Sequence, residues 1–380
     1  MGQETPGFPG PSGKNDSPPE PAGDPVLRQR LRAAADSDGF LPFERYMEIA
    51  LYDPERGFYD RAATRLGRSG DFYTASHVHA LFGATLARHA EEIRASAGWP
   101  TPFPVVEVGP GDATLAWDIR NVLADSARAA GWEYVLVERS GSFRSRMGAR
   151  LGPPGHGPVP WRLAPSLSAL GPVRGLVLAN ELLDAFPHRR LQRTGDGWKE
   201  LGVLVPAQGP LRLVRRTPGA GRVPPGMPDD APNETTMEVS PGAESWIREL
   251  ADHLTDGRAI LIDYGDEEAA LLSRGSGGTL EAIRGHRSVD PLVEPGTVDL
   301  SAWVNFTRIR RAASQAGLVE MFYGPLSEAL IRWKIDEVRA KMESKADSVE
   351  AVKLQLAQKS FLIGFSSFKV LELAPPGPSS

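Results

Sequence analysis

No cysteine occurs in the 380 residues. That excludes disulfides, thiolate nucleophiles, zinc–thiolate sites and cysteine-held iron–sulfur clusters, so any group transfer must use polar, closed-shell chemistry. A run of about 18 apolar residues, the length needed to cross a bilayer as a helix, is also missing. Positive charge is not in excess: the net charge is −5 and no basic cluster dominates a segment, which argues against nucleic acid as the main partner. Residues 1–24 are rich in Pro, Gly and Ser and lack the basic start and apolar centre of a secretory leader. They read as a disordered tail. The expectation from these absences is a soluble cytoplasmic protein with no membrane partner.

The sequence turns on Val105 to Leu115, an apolar run that breaks into Gly109 and Gly111 and then becomes helix-patterned. This reads as a buried parallel strand, a tight turn and a helix N-terminus. Glycine lets the backbone turn sharply and approach a ligand closely. A dinucleotide fingerprint needs a third glycine at position 114, where the chain has Thr114. Glu107, just before the turn, would repel a pyrophosphate and attract a cationic ligand. S-adenosylmethionine carries a sulfonium and an ammonium and no phosphate. The run Tyr134 to Val137 ends in Glu138, placed where the second strand of a doubly wound sheet offers a carboxylate to ribose hydroxyls.

Three further features organise the chain. Gly175 to Pro187 is an apolar run with a polar exit carrying Asn180, Glu181 and Asp184, the candidate catalytic residues on the acceptor side. Arg258 to Gly265 is a fifth strand with a similar exit. Residues 67–76 form a shaped loop that includes Asp71 and Thr74, with Ser76 as an N-cap for the helix that follows. His77 and His79, two apart, lack the spacing of two ligands on one helical face, and no metal site is expected. His188 and His286 are weaker base candidates.

The fold expected is α/β, a Rossmann-like doubly wound sheet. Its division is a disordered tail (1–24), an N-terminal helical lid (25–100), a first core part (101–195), an inserted β-hairpin lobe (196–238), a second core part (239–374) and a short tail (375–380). Within the second part, 278–306 reads as polar loop, 326–358 as a charged helical pair that caps the site or meets a partner, and 360–365 with 368–373 as closing strands.

With these motifs in order, the sequence resembles the MidA family of class I S-adenosylmethionine-dependent methyltransferases, a group with a mitochondrial member that dimethylates a protein arginine. The resemblance rests on Tyr52-Asp53-Pro54 with Gly57-Phe58-Tyr59, Gly70-Asp71-Phe72 with Thr74, Glu107 through Gly111, and Val137-Glu138. It continues in Asn180-Glu181 with Leu183-Asp184, Asp263-Tyr264-Gly265, and Asp290-Pro291 with Asp299-Leu300. It covers roughly residues 38–320. It implies S-adenosyl-L-methionine as cofactor, held by Glu107, Gly109, Gly111, Glu138, Asp71 and Thr74, and a protein arginine as acceptor. Departures at Ser76-His77, Asp112-Ala113 and Asn305 leave the acceptor open between protein arginine and a small molecule, with transfer to N or O. The rival from another class is a non-catalytic assembly factor that keeps the cofactor fold. A homodimer is left open.

Overall fold

The computed structural model describes residues 23–62, 75–97, 101–125 and 131–377. At its centre lies an eight-stranded sheet. Seven of its strands are β1 (Phe103–Val108), β2 (Trp132–Val137), β3 (Trp161–Ala164), β4 (Val173–Asn180), β5 (Leu254–Asp266), β6 (Val319–Pro325) and β7 (Phe368–Ala374). They run in the order β6-β7-β5-β4-β1-β2-β3. The strands from β5 to β3 pair in parallel, while β7 is antiparallel to both β5 and β6.

Alternation along each strand feeds two cores, one on each face. Phe103 and Val105 of β1, Tyr134 and Leu136 of β2, and Leu176 and Leu178 of β4 enter one apolar cluster. Val106, Val108, Val135, Val137, Val177 and Ala179 enter the other. Strands buried on both faces read as continuous apolar runs, which is why they were legible. On the first face pack α1 (Leu81–Ala97), α2 (Thr114–Ala124) and α3 (Gly141–Leu151); on the second pack α4 (Pro241–His253) and α5 (Phe306–Gln315). The chain leaves β3 and crosses back to β4, so the strand order reverses beside β1. In such sheets ligands bind outside the carboxyl ends of the strands at that reversal.

The remaining segments gather at that edge. The expected hairpin, here Gly197–Leu204 with Arg212–Arg216, belongs to a five-stranded antiparallel sheet in which Gly197–Leu204 also pairs with Arg189–Thr194 and the short strand Phe40–Pro42, and Thr236–Val239 pairs with Arg189–Thr194. Leu27 and Leu31 of the helix Pro25–Ala34 share one apolar cluster with Phe43, Tyr46 and Met47 of the helix Phe43–Tyr52, and with Val203, Val205 and Leu300. The N-terminal helices and the lobe therefore form one packed unit. Arg190 and Glu238 make a buried ion pair of 2.9 Å within it.

Four expectations differ. Residues 278–306 are not loop: Leu280–Arg284, Arg287–Ser288 and Asp299–Ala302 form a three-stranded sheet. Only one face of it is apolar, and its strands are too short for a period of two to stand out. The charged stretch forms three helices, α6 (Leu326–Arg332), α7 (Ile335–Glu343) and α8 (Ser348–Lys359), broken first at Lys334 in a left-handed conformation (φ 64°). They pack on the first core and contribute nothing to the cleft described below. Ser360–Gly364 continues α8 as a π-turn instead of forming a strand, a short apolar run being ambiguous between the two. Ser76 is not at the start of the long helix: it lies inside the single turn Ala75–Val78, and α1 starts at Leu81, whose N–H donates to His79 Nδ1 (3.0 Å).

Candidate active site

Beyond β1 the backbone takes a left-handed conformation at Gly109 (φ 69°), Gly111 (φ 53°) and Ala113 (φ 61°). A Cβ at Gly109 would lie 2.8 Å from Leu182 Cδ1, whereas one at Gly111 would meet nothing within 4 Å. The corner is thus packed on one side and open on the other. Gly109→Ala is expected to destabilise the protein by about 1–2 kcal/mol, mainly through its positive φ, a shift that urea unfolding would register. A variant as stable as the parent would show that the corner tolerates a side chain.

Gly111 opens onto a cleft of about 1000 Å³ at the carboxyl edge of β1, β2 and β4. Glu107, Gly109, Gly111, Glu138, Asn180, Glu181 and Asp184 all line it, so seven of the nine sequence candidates share one cavity. Asp71 and Thr74 lie outside the described residues. Of the weaker candidates, His188 is buried beside Glu238 in a separate small cavity, and burial pulls its pKa down to about 4. His286 sits at a left-handed position in the turn between two short strands and does not reach the cleft.

The wall beside the glycine corner is built on two acids. Glu107 is 3% exposed and accepts from Tyr134 Oη at 2.7 Å, and burial pushes its pKa up to about 7. Glu138, also buried with a raised pKa, accepts from the Ser140 amide at 2.7 Å. Ser140 Oγ caps α3 through the Phe143 amide (3.3 Å) and meets Asp60 Oδ1 (3.1 Å), which fixes the turn after β2. An open glycine corner, a helix start and two desolvated carboxylates fit a cationic nucleoside far better than a polyphosphate.

The opposite wall is built on the turns after β4 and β5. Glu181 is held in a left-handed conformation (φ 51°), and its Oε1 accepts from the Ala75 amide (3.0 Å) and Asn180 Nδ2 (3.2 Å). Burial and then the neighbouring Asp184 push its pKa up to about 8. Asp184 Oδ2 accepts from Tyr264 Oη at 2.6 Å; burial raises its pKa to about 6, with the tyrosine opposing. Asp263 Oδ2 accepts from the Leu183 (2.8 Å) and Asp184 (3.3 Å) amides, and burial followed by the charges of Asp184 and Glu181 raises its pKa strongly. Tyr52 Oη donates to Ala185 O (2.7 Å), joining the N-terminal unit to the turn. No helix follows Asp184, so it is not a cap.

Asp263, Tyr264 and Tyr52 stand in the sequence only as motif residues and Tyr134 only as part of a strand, and none of the four is among the site candidates. Their partners lie far away in sequence, so only the fold reveals the bonds. Two of the departures from the family pattern meet in space, with His77 Nε2 3.2 Å from Asp112 Oδ2. Among the described residues no three His, Asp or Glu side chains are arranged to hold a metal ion.

Residues 85–323, more than half of the chain, match a family model described as S-adenosyl-L-methionine-dependent methyltransferase. The chain belongs to this family. This methyltransferase is 30% identical to the mitochondrial protein arginine methyltransferase NDUFAF7 homolog of Drosophila melanogaster, over 80% of its own length and 73% of the relative's. To the human mitochondrial protein arginine methyltransferase NDUFAF7 it is 29% identical, over 89% and 80% of the two chains. A crystal structure from Burkholderia thailandensis, bound to S-adenosyl-homocysteine, superposes with a TM-score of 0.81 at 30% identity and covers 92% of each chain. The enzyme is accordingly a class I methyltransferase that uses S-adenosylmethionine and takes a methyl acceptor as substrate. The cytoplasmic placement expected from the sequence is corrected here: these eukaryotic relatives are named as mitochondrial.

Proposed function

We propose that this methyltransferase acts on a cationic nitrogen, the guanidinium of a protein arginine, held by the acids after β4 and β5. The observation that carries the reading is that Asp184 and Asp263 are buried beside Glu181 on adjoining turns, with the charge of Asp184 raising the pKa of both Glu181 and Asp263, and that no basic side chain is paired with the three among the described residues. Such a cluster is costly unless a cation completes it. The relatives named as arginine methyltransferases support the same acceptor. On the cofactor side, Glu138 is assigned to the ribose hydroxyls, Glu107 to the methionyl end, and Gly109 and Gly111 to close backbone approach. Asp71 and Thr74 are kept as contacts on the segment preceding Ala75.

The cofactor supplies an activated methyl group with a neutral thioether as leaving group. Positioning therefore supplies much of the rate. Glu181 and Asp184 would align the guanidinium and disperse its charge. As the new N–CH3 bond forms and the S–CH3 bond breaks, the nitrogen loses one proton, and an ionised carboxylate of the cluster accepts it. Asn180 Oδ1 is buried with no hydrogen-bond partner among the described residues, which makes it an acceptor for an acceptor-side N–H.

These protonation states set the pH dependence. An arginine stays charged throughout, so the titrating groups are the acids, and they bind it only when ionised. Activity on arginine peptides is expected to rise with pH through about 6, where Asp184 ionises, and again towards about 8, where Glu181 does. A kcat/KM profile measured with an arginine peptide tests this. A profile flat from pH 5.5 to 9, or falling as pH rises, would contradict the reading.

A further inference from the structure

Asp112 lies in the cofactor loop on the wall of the cleft, and its two oxygens serve different elements. Oδ1 accepts from the Thr114 amide (3.0 Å) and Thr114 Oγ1 (2.7 Å) at the start of α2. Oδ2 lies 3.2 Å from His77 Nε2 in the turn Ala75–Val78 and 3.0 Å from Arg150 Nη2 in the last turn of α3. Burial raises the Asp112 pKa, but the bonds from His77 and Thr114 outweigh it and bring it to about 2. The group is ionised at every working pH.

The turn Ala75–Val78 is therefore fixed at both sides of the cleft. Its first residue donates to Glu181 Oε1 on the acceptor side, and its His77 meets the ionised Asp112 on the cofactor side. Ser76 and His77 themselves line the cavity between those two points. We propose that this turn is a strap across the cleft, and that His77 is a positioning residue that holds the cofactor loop through Asp112 and thereby sets how long bound cofactor product stays. The His77 and Asp112 side chains are only 11% and 17% exposed, so the contact is weakly screened. When the strap lifts, Asp112 keeps Arg150 and Thr114 but loses its link across the mouth. Product release limits turnover in many enzymes, which makes the strap a control point.

The test uses the full chain and S-adenosylhomocysteine as probe, with dissociation followed by stopped-flow tryptophan fluorescence and the melting temperature of each ligand-free variant as a folding control. His77→Lys places a cation opposite the ionised Asp112 and should dissociate near the wild-type rate. His77→Gln, which puts a neutral amide where the ring meets the ionised Asp112, should speed release about tenfold, since such losses fall mainly on the off-rate. His77→Glu, a like charge at the same place, should be faster still; if it fails to fold, the Lys and Gln variants decide. Equal rates in the Gln variant and the wild type, or Lys as fast as Gln, would overturn the strap. The inference rests on the cofactor lying at the glycine corner, so a wild-type protein that does not bind the probe would overturn both.

Discussion

Glu138→Ala is expected to weaken S-adenosylmethionine binding about 100-fold while leaving the protein folded. A carboxylate accepting from ribose hydroxyls makes charge-assisted bonds worth about 1.5–3 kcal/mol each, and the loss of roughly 3 kcal/mol in total corresponds to two decades in Kd. The side chain also accepts from the Ser140 amide at 2.7 Å, so part of the cost falls on the turn before α3. Glu138→Gln separates the two contributions. It keeps an oxygen for that amide but not the charge, and should lose only about tenfold. Calorimetric titration of both variants with S-adenosylmethionine, S-adenosylhomocysteine and NAD reads the effect directly. Unchanged affinity in the alanine variant would remove Glu138 from the ribose.

The second large effect falls on turnover instead of on cofactor affinity. Glu181→Gln and Asp184→Asn are each expected to lower kcat by about 10²–10³-fold, the scale found when a preorganised electrostatic group is removed from a reacting centre. The Kd for S-adenosylmethionine should stay within about threefold of wild type, since both side chains lie on the acceptor side. The two substitutions should also be far from additive, because the charge of Asp184 raises the pKa of Glu181 and both raise that of Asp263, so that removing one shifts its neighbours. Glutamine at 181 can still accept from the Ala75 amide, which keeps the left-handed turn in place. If kcat is preserved while KM alone rises, the acids bind the acceptor without helping the transfer. Unchanged values for both would place the acceptor elsewhere.

Much of the core was legible for a physical reason. Strands buried on both faces must be apolar throughout, and chemistry placed at their ends must interrupt that run abruptly, as at Glu107, Glu138, Asn180 and Asp263. The glycine corner was legible because Gly109 and Gly111 are demanded by backbone conformation. Other features depend on partners distant in the chain. Phe40–Pro42 becomes a strand only because Gly202 to Leu204 lies beside it. Tyr264 and Tyr52 join the acceptor site through bonds to Asp184 and to the Ala185 carbonyl, pairings that no local pattern encodes. Leu280–Arg284 and Asp299–Ala302 pair antiparallel with little apolar signal of their own. Residues 360–364 look strand-like in composition and instead end a helix, with Phe361 buried and Ile363 exposed.

The N-terminal helices expected as a lid share a core with the lobe, and Tyr52 from that unit reaches the turn that carries Asp184. Movement of the lobe would therefore be felt at the acceptor acids. The helices α6 to α8, by contrast, act as a buttress on the first core: Arg88 of α1 meets Glu337 of α7 at 3.0 Å, and His79 meets Glu350 of α8 at 3.0 Å.

The central claim is that the acid cluster after β4 and β5 receives an arginine. The direct measurement is transfer of a labelled methyl group from S-adenosylmethionine to a protein extract, followed by complete hydrolysis and chromatography of the labelled amino acids. The account predicts label in methylarginine, and its loss with Glu181→Gln at saturating cofactor. Label confined to the small-molecule fraction, or carried on a hydroxyl or carboxylate oxygen, would contradict it.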